Sequence, residues 1–282
     1  KRLKNNKVIV PSLCWITTIS PVINLGLTPI LCDINMYDLS ADLKNLEELF
    51  IKEQPAVLFM VSVLGIPPDM DAVQYLCDKH AVILLMDNCE SCYSKYKGVQ
   101  IEKFGIISCS SSYYGHNFST IEGGMVTTDD YEIYCLLKIG RSHGWERDLD
   151  EDKKQELRKK HGVSGFNALY HFYHVGFNLR SHDLSSFIGV GQLKKLPMFA
   201  LNRYKNYLLY DKYLKNNFWK APVNEDHFVS NLGYPVIVKD NRDKIVEELK
   251  INQVEVRPLI SGSMGLQTFF VERYGKQEFP NV

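Results

Sequence analysis

The chain of 282 residues carries no formal net charge, its 33 lysines and arginines balancing 33 aspartates and glutamates. Without a surplus of positive charge there is no electrostatic case for nucleic acid or an anionic membrane as a partner. Long hydrophobic runs are also missing. The longest, residues 56–66, is far short of the roughly 20 apolar residues of a spanning helix. No signal peptide is visible, so a cytoplasmic location is expected. Cysteine motifs are sparse. The seven cysteines, at positions 14, 32, 77, 89, 92, 109 and 135, are scattered. Cys89 and Cys92 form one Cys-x-x-Cys with no second pair, so the pattern suits reduced thiols, and neither a disulfide framework nor a metal site is expected. No internal repeat is apparent.

What is present is a globular composition, 45% hydrophobic and 23% charged, in a chain long enough for one large and one small domain. Val-Ile-Val-Pro at 8–11 reads as a buried strand. Residues 21–26 read as a short helix closing on Gly26, and residues 28–33 as a second strand. Leu43, Leu46, Leu49 and Phe50 repeat at helical spacing. The apolar run Ala-Val-Leu-Phe-Met-Val at 56–61 suits a strand covered on both faces. A turn at 65–70 leads into a helix with Met70, Val73, Leu76 and Cys77 on one face, and residues 81–87 form the next strand. Strand, helix, strand at this spacing points to parallel βαβ units and an α/β fold. Helices are expected over 131–139, 183–193 and 199–218, the last with Tyr204, Tyr207, Leu214 and Phe218 on one side. Residues 148–161, dense in both charge signs, read as a solvated helix or loop. A strand at 233–238, a helix at 243–249 and a strand at 254–258 suggest a small C-terminal α+β domain. The expected division is 1–198 and 199–282. Val8 already lies in a core strand and the last residues carry no stop signal, so a piece of a longer chain is expected.

Asp87 ends an apolar strand, where open α/β sheets place ligands. It reads either as a helix N-cap or as a cofactor contact. Residues 104–126 run Phe-Gly-Ile-Ile-Ser-Cys-Ser-Ser-Ser-Tyr-Tyr-Gly-His-Asn-Phe-Ser-Thr-Ile-Glu-Gly-Gly-Met-Val: an apolar strand, a polar turn carrying His116, and a strand after Gly123 and Gly124. This segment resembles the catalytic stretch of the DegT, DnrJ, EryC1 and StrS sugar aminotransferases, which has Ser-Phe-Tyr, two residues, a lysine, then Gly-Glu-Gly-Gly. Arg-Ser-His-Gly-Trp at 141–145 and Gly-Phe-Asn-Leu-Arg at 176–180 resemble two further motifs of that family, and the resemblance covers nearly the whole chain. It implies a fold-type I pyridoxal phosphate (PLP) enzyme, a mostly parallel mixed sheet between helices.

In the family the lysine holds PLP as a Schiff base, and His116 stands in its place. That exchange resembles the deoxygenating branch, the sugar 3-dehydratases, in which PLP and pyridoxamine phosphate (PMP) alternate. The implied reaction is 3-dehydration of a nucleotide-linked 4-keto-6-deoxy sugar, with L-glutamate as amino donor and His116 as acid/base. The wording around His116 resembles the GDP-sugar members. The CDP-sugar members carry a [2Fe–2S] cluster, three of whose cysteines follow the histidine; here only Cys135 does, and no iron–sulfur cluster is expected. By the same resemblance Asp87 faces the pyridine nitrogen with Glu90 beside the ring. Ser111 binds the cofactor phosphate, although Ser108, Ser110 and Ser112 compete for that role. Asn178 reaches the phosphate of a neighbouring subunit in a homodimer with shared active sites, or is a turn residue. Trp15 stacks near the cofactor or is a core residue. Arg257 and Ser261 approach the nucleotide sugar. Lys95, Lys97 and Lys103 are expected to face solvent. An ordinary aminotransferase, or a silent nucleotide-sugar-binding homologue, are the other readings.

Overall fold

The computed structural model describes residues 3–214, 225–238 and 240–282. Its centre is a six-stranded sheet formed by β1 (Lys7–Pro11), β2 (Thr28–Cys32), β3 (Val57–Val61), β4 (Ile83–Asp87), β7 (Ile107–Ser111) and β8 (Gly124–Thr127). A separate small hairpin pairs β5 (Lys95–Tyr96) with β6 (Val99–Gln100). The order in the large sheet is β2-β1-β3-β4-β7-β8. All neighbours are parallel except β7 and β8, which pair antiparallel from Ser108↔Thr127 to Ser111↔Gly124.

Strands β1 to β4 are largely apolar on both sides because helices cover both faces. On one face Ile9, Leu58, Met60, Leu84 and Met86 pack with Leu46 and Phe50 of α2 (Leu43–Glu53) and with Met70, Val73, Leu76 and Cys77 of α3 (Met70–His80). On the other, Val8, Val10, Leu31, Val57 and Val61 pack with Ile19 and Val22 of α1 (Ile16–Asn24) and with Met264 and Phe270 from the C-terminal part. Each such fully buried apolar side chain contributes roughly 1.5–3 kcal/mol. Asp42 and Asp69 cap α2 and α3 by accepting from Asn45 and Ala72 backbone N–H groups, which fixes where these helices start.

The first helix is longer than the expected 21–26. It begins at Ile16 and carries Pro21 inside it, closing on Gly26 in the left-handed region. Proline removes its own N–H and crowds the carbonyl four residues back, and burial of Thr18, Ile19 and Val22 holds the helix on either side. Residues 131–141 form α4 (Tyr131–Arg141). The charged stretch forms α5 (Glu151–His161), where Lys153 and Leu157 are buried and Arg158 pairs with buried Glu146. The two helices expected at 183–193 and 199–218 are one continuous helix, α6 (Asp183–Tyr213), running through Pro197, with Leu196 and Ala200 buried on either side of it. Phe218 lies outside the described residues. Tyr207 of α6 is buried with Ile66 and Val229, and Tyr204 packs beside them.

The strands expected at 233–238 and 254–258 do not form. A strand exists only with a hydrogen-bonded neighbour, and these extended segments find no ladder among the described residues. The helices α7 (Arg242–Ile251) and α8 (Thr268–Tyr274) flank the second of them. No helix among the described residues is long and apolar enough to cross a membrane.

Candidate active site

Parallel strands end together, so β4 and β7 deliver Asp87 and Ser111 to the same edge of the sheet, where the register pairs Asp87 with Cys109. Asp87 is buried. Its Oδ2 accepts from the Thr18 hydroxyl at 2.6 Å and its Oδ1 from the Cys89 backbone N–H at 3.2 Å. No lysine or arginine among the described residues forms an ion pair with it. A buried carboxylate with hydrogen bonds but no cation is set to receive one. The protonated pyridine nitrogen of PLP meets that requirement, so the residues present fit this cofactor.

Glu90 follows on the turn after β4. Its Oε2 accepts from the Leu64 backbone N–H at 2.8 Å. Desolvation pushes the Glu90 carboxyl up to about 7; the Leu64 amide opposes this and the Asp87 charge adds to it. Leu64 offers that N–H from a left-handed backbone, φ 52°, in the tight turn it shares with Gly65. Gly65 is required there, since a Cβ would lie 2.5 Å from the Ser230 carbonyl oxygen.

His116 sits on the turn between β7 and β8. The turn is closed by Ser112 N–H to Gly123 O at 3.0 Å, Tyr114 N–H to Ile121 O at 3.0 Å and Thr120 N–H to Ser112 O at 2.8 Å. Neighbours anchor it further: Asn117 donates to the Ser230 carbonyl at 2.8 Å, and Arg203 of α6 donates to the His116 carbonyl at 3.3 Å and to the Asn231 carbonyl at 3.0 Å. The imidazole Nδ1 lies 2.6 Å from Ser111 Oγ. Desolvation holds the half-buried ring below the ordinary 6.5; the Asp87 charge opposes this and the Arg203 charge adds to it. The imidazole is therefore neutral at neutral pH and able to take a proton. A cleft of about 340 Å³ opens beside it, lined by His116, Ser119, Gln192, Arg203 and Asn206 among others.

Asp87, Glu90, Ser111 and His116 thus come together. Trp15, which precedes the first turn of α1, is 54% exposed, so the core reading fails and its indole is open for stacking. Ser261 spends its hydroxyl on the Cys14 carbonyl at 2.7 Å, next to Trp15. Arg257 is exposed, bonded to Glu255 at 2.5 Å, and its charge reaches Tyr113 on the histidine turn. Asn178 is exposed and joined by a backbone bridge to Ser142; it is not in contact with the cluster. On the β5–β6 hairpin, Lys97 pairs with Asp71 of α3 and Lys95 lies over the Tyr93 ring. Cys89 and Cys92 do not converge: Cys92 packs with Phe118 and Leu196, whereas Cys89 faces Cys109 beside Asp87. The contact with Cys109, burial and the Asp87 charge all keep the Cys89 thiol protonated. Thr18 and Arg203 carry no signal in the sequence, each acting on the site across a long chain separation, and the anchor that Asn117 finds at Ser230 is 113 residues away.

The family model described as DegT/DnrJ/EryC1/StrS aminotransferases matches residues 2–282. GDP-4-keto-6-deoxy-D-mannose 3-dehydratase of Yersinia pseudotuberculosis is 32% identical over 264 residues, covering 92% of this chain and 66% of that protein. Its counterpart from Escherichia coli O55:H7 is 33% identical, covering 92% and 67%. The chain therefore spans about two thirds of the length of these curated relatives. Among solved structures, a GDP-4-keto-6-deoxymannose-3-dehydratase with a trapped PLP-glutamate geminal diamine superposes with a TM-score of 0.88 at 30% identity, covering 99% of this chain and 74% of that one. The E. coli enzyme with bound hydrated PLP superposes at 0.84 and 28% identity, covering 99% and 72%. The fold is that of the PLP-dependent sugar aminotransferases and 3-dehydratases.

Proposed function

This chain belongs to the DegT/DnrJ/EryC1/StrS aminotransferase family, and we propose that within it the protein is a PLP/PMP-dependent 3-dehydratase of a nucleotide-linked 4-keto-6-deoxy sugar, GDP-4-keto-6-deoxy-D-mannose being the favoured substrate. The observation that carries this reading is His116: an imidazole, in contact with Ser111 and within the field of Asp87, where the family's covalent lysine would stand.

When bound, PLP would supply the carrier for glutamate's amino group and the electron sink for cleavage of the sugar C3–O bond. Asp87 would hold the ring nitrogen in its charged form, and Glu90, with its raised proton affinity, would lie on the ring's side of the site. Ser111 would hold the phosphate and Trp15 would offer a flat face for stacking. His116 moves the proton at the cofactor's C4′ carbon, a role worth roughly 10²–10⁴-fold in rate. Imidazole cannot condense with an aldehyde as an amine does, so no side chain at this position competes to release an amino sugar. Overall, glutamate and the 4-keto sugar give 2-oxoglutarate, ammonia and the 3-deoxy-4-keto sugar, with glutamate supplying the two electrons.

The working form is a homodimer with shared sites, located in the cytoplasm. Apolar side chains such as Phe166, 84% exposed, and Phe187, 78% exposed, support a covered face on the side of the 166–193 segment. Asn178 is exposed in this same segment and is assigned to the neighbour's cofactor phosphate, while Arg257 and Ser261 are assigned to the nucleotide-sugar side. The full-length protein incubated with PLP, L-glutamate and GDP-4-keto-6-deoxy-D-mannose is expected to form ammonia and a 3-deoxy product. Release of a 4-amino sugar would make it an aminotransferase, and absence of turnover a silent homologue.

A further inference from the structure

Ser111 Oγ has two neighbours, His116 Nδ1 at 2.6 Å and the Tyr113 backbone N–H at 3.2 Å. A hydroxyl has one proton to give and two lone pairs to receive with. Tyr113 takes one lone pair, which leaves two arrangements. If the hydroxyl donates to Nδ1, the imidazole proton sits on Nε2, and Oγ presents only a lone pair to anything else. If Nδ1–H donates to Oγ, both lone pairs are used, the hydroxyl proton is free to point outward, and Nε2 carries no proton.

An anion can be held by the second arrangement alone, because a lone pair facing an anion repels it. The geometry around the pair leaves little room to escape this choice. The His116 N–H is bonded to the Tyr113 carbonyl at 3.0 Å, the His116 carbonyl to Arg203, and Asn117 to Ser230, so the backbone of the turn is tied on both sides of the ring. The charged groups acting on the ring are Asp87 from β4 and Arg203 from α6, with the edge of Tyr113 at 5.8 Å between centroids.

We propose that Ser111 is a positioning residue that couples anion binding at the end of β7 to the tautomer of His116: a phosphate monoester seated on the Ser111 hydroxyl fixes the proton on Nδ1 and leaves Nε2 as the atom that takes a proton. The identity of the anion as the cofactor's phosphate rests on the function proposed above, but the coupling does not, and it is read without turnover. In this account the phosphate held by Ser111 would also set the imidazole of His116 in the form that takes a proton at Nε2.

The test is a long-range proton–nitrogen correlation spectrum of the full chain labelled with ¹⁵N-histidine, His116 being assigned with His116→Asn. Four samples are compared: no addition, inorganic phosphate, PLP, and pyridoxal lacking the phosphate. With PLP the ratio of Nδ1–H to Nε2–H tautomer is expected to rise by about tenfold, the worth of one charge-assisted hydrogen bond. Pyridoxal is expected to leave it unchanged. A response to inorganic phosphate alone identifies any phosphate as sufficient; a response to PLP only assigns the coupling to the cofactor. Ser111→Ala is expected to abolish the shift and Ser111→Thr to keep it. At saturating PLP, Ser111→Ala is further expected to lower kcat about tenfold with KM for the sugar unchanged, a fraction of the full acid/base contribution, and Ser111→Thr to restore it. An Nε2–H tautomer in the PLP-loaded protein, or a PLP-induced shift that persists in folded Ser111→Ala, overturns the proposal. Should Ser111→Ala fail to fold, the PLP and pyridoxal arms on the unaltered chain decide alone. A protein with the expected tautomer shift but no dehydratase activity would retain this coupling and lose the proposed function.

Discussion

The Thr18 hydroxyl donates to Asp87 Oδ2 at 2.6 Å, joining the first turn of α1 to the end of β4 across 69 residues of sequence. Both side chains are buried. Thr18→Val keeps the shape and deletes the donor, leaving a buried carboxylate short of one hydrogen bond. The expected loss is about 1–3 kcal/mol of stability, read by urea denaturation, together with weaker PLP binding, while Thr18→Ser restores both. A Thr18→Val protein of unchanged stability and PLP affinity would remove Thr18 from the site.

Glu90 makes stability depend on pH in an uncommon direction. Its folded value of about 7 stands above the ordinary 4.5, so between these values the folded chain binds more protons than the unfolded one. Stability from this group is present below the lower value and is lost as pH rises through the upper. Glu90→Gln keeps an acceptor for the Leu64 N–H. Without cofactor it is expected to match the parent near pH 4 and to exceed it near pH 8 by up to about 3 kcal/mol. Parallel stability profiles for the two proteins would show that Glu90 carries no such penalty.

His116 is held below 6.5, chiefly by desolvation. A depressed histidine is neutral above that value and gains its proton only in more acid solution, so the acid limb of the kcat/KM profile is expected below pH 6.5. His116→Asn is expected to lose that limb and about 10²–10⁴-fold in kcat. An acid limb persisting in His116→Asn would assign it to another group.

Borohydride distinguishes the two chemistries this position can host. Reduction of the parent protein with PLP is expected to leave no covalent pyridoxyl group, whereas His116→Lys, which supplies an amine, is expected to acquire one, measured by intact mass. A pyridoxyl-lysine in the parent would contradict the assignment of His116.

Shared active sites have a stoichiometric signature. His116→Asn and Asn178→Ala subunits are each expected to be inactive alone, and after mixing and re-equilibration to recover about a quarter of the parent activity, since half the dimers are hybrids with one intact site. No recovery from hybrids verified by mass would place Asn178 outside the partner's site.

The sheet and the chemical cluster were readable because both are written locally. Residues 56–61 and 81–87 announce buried parallel strands by their unbroken apolar runs, and a strand that ends in Asp87 fixes that carboxylate at the ligand-bearing edge. Ser111 and His116 lie five residues apart on one turn, so their contact needed no tertiary knowledge. Thr18 and Arg203 meet the site across 69 and 87 residues, a distance at which a threonine or an arginine has no local signature. Pro197 reads as an end to a helix, yet burial of Leu196 and Ala200 outweighs the missing N–H. The segments at 233–238 and 254–258 have the β-branched content of strands, but pairing depends on a neighbour and not on composition. The exposure of Trp15 likewise depends on what packs around it, and sequence left both of its readings open.

The antiparallel pairing of β7 with β8 means that the histidine-bearing turn leaves and re-enters the sheet through adjacent strands. Every parallel connection in the sheet must carry a crossover, so a change in one disturbs the winding of the whole. The hairpin has no such obligation. Its tip is closed by its own backbone hydrogen bonds and anchored to the rest of the chain by Asn117 and Arg203. A substitution at its apex, position 116, is then a local edit that leaves the winding of the parallel strands untouched.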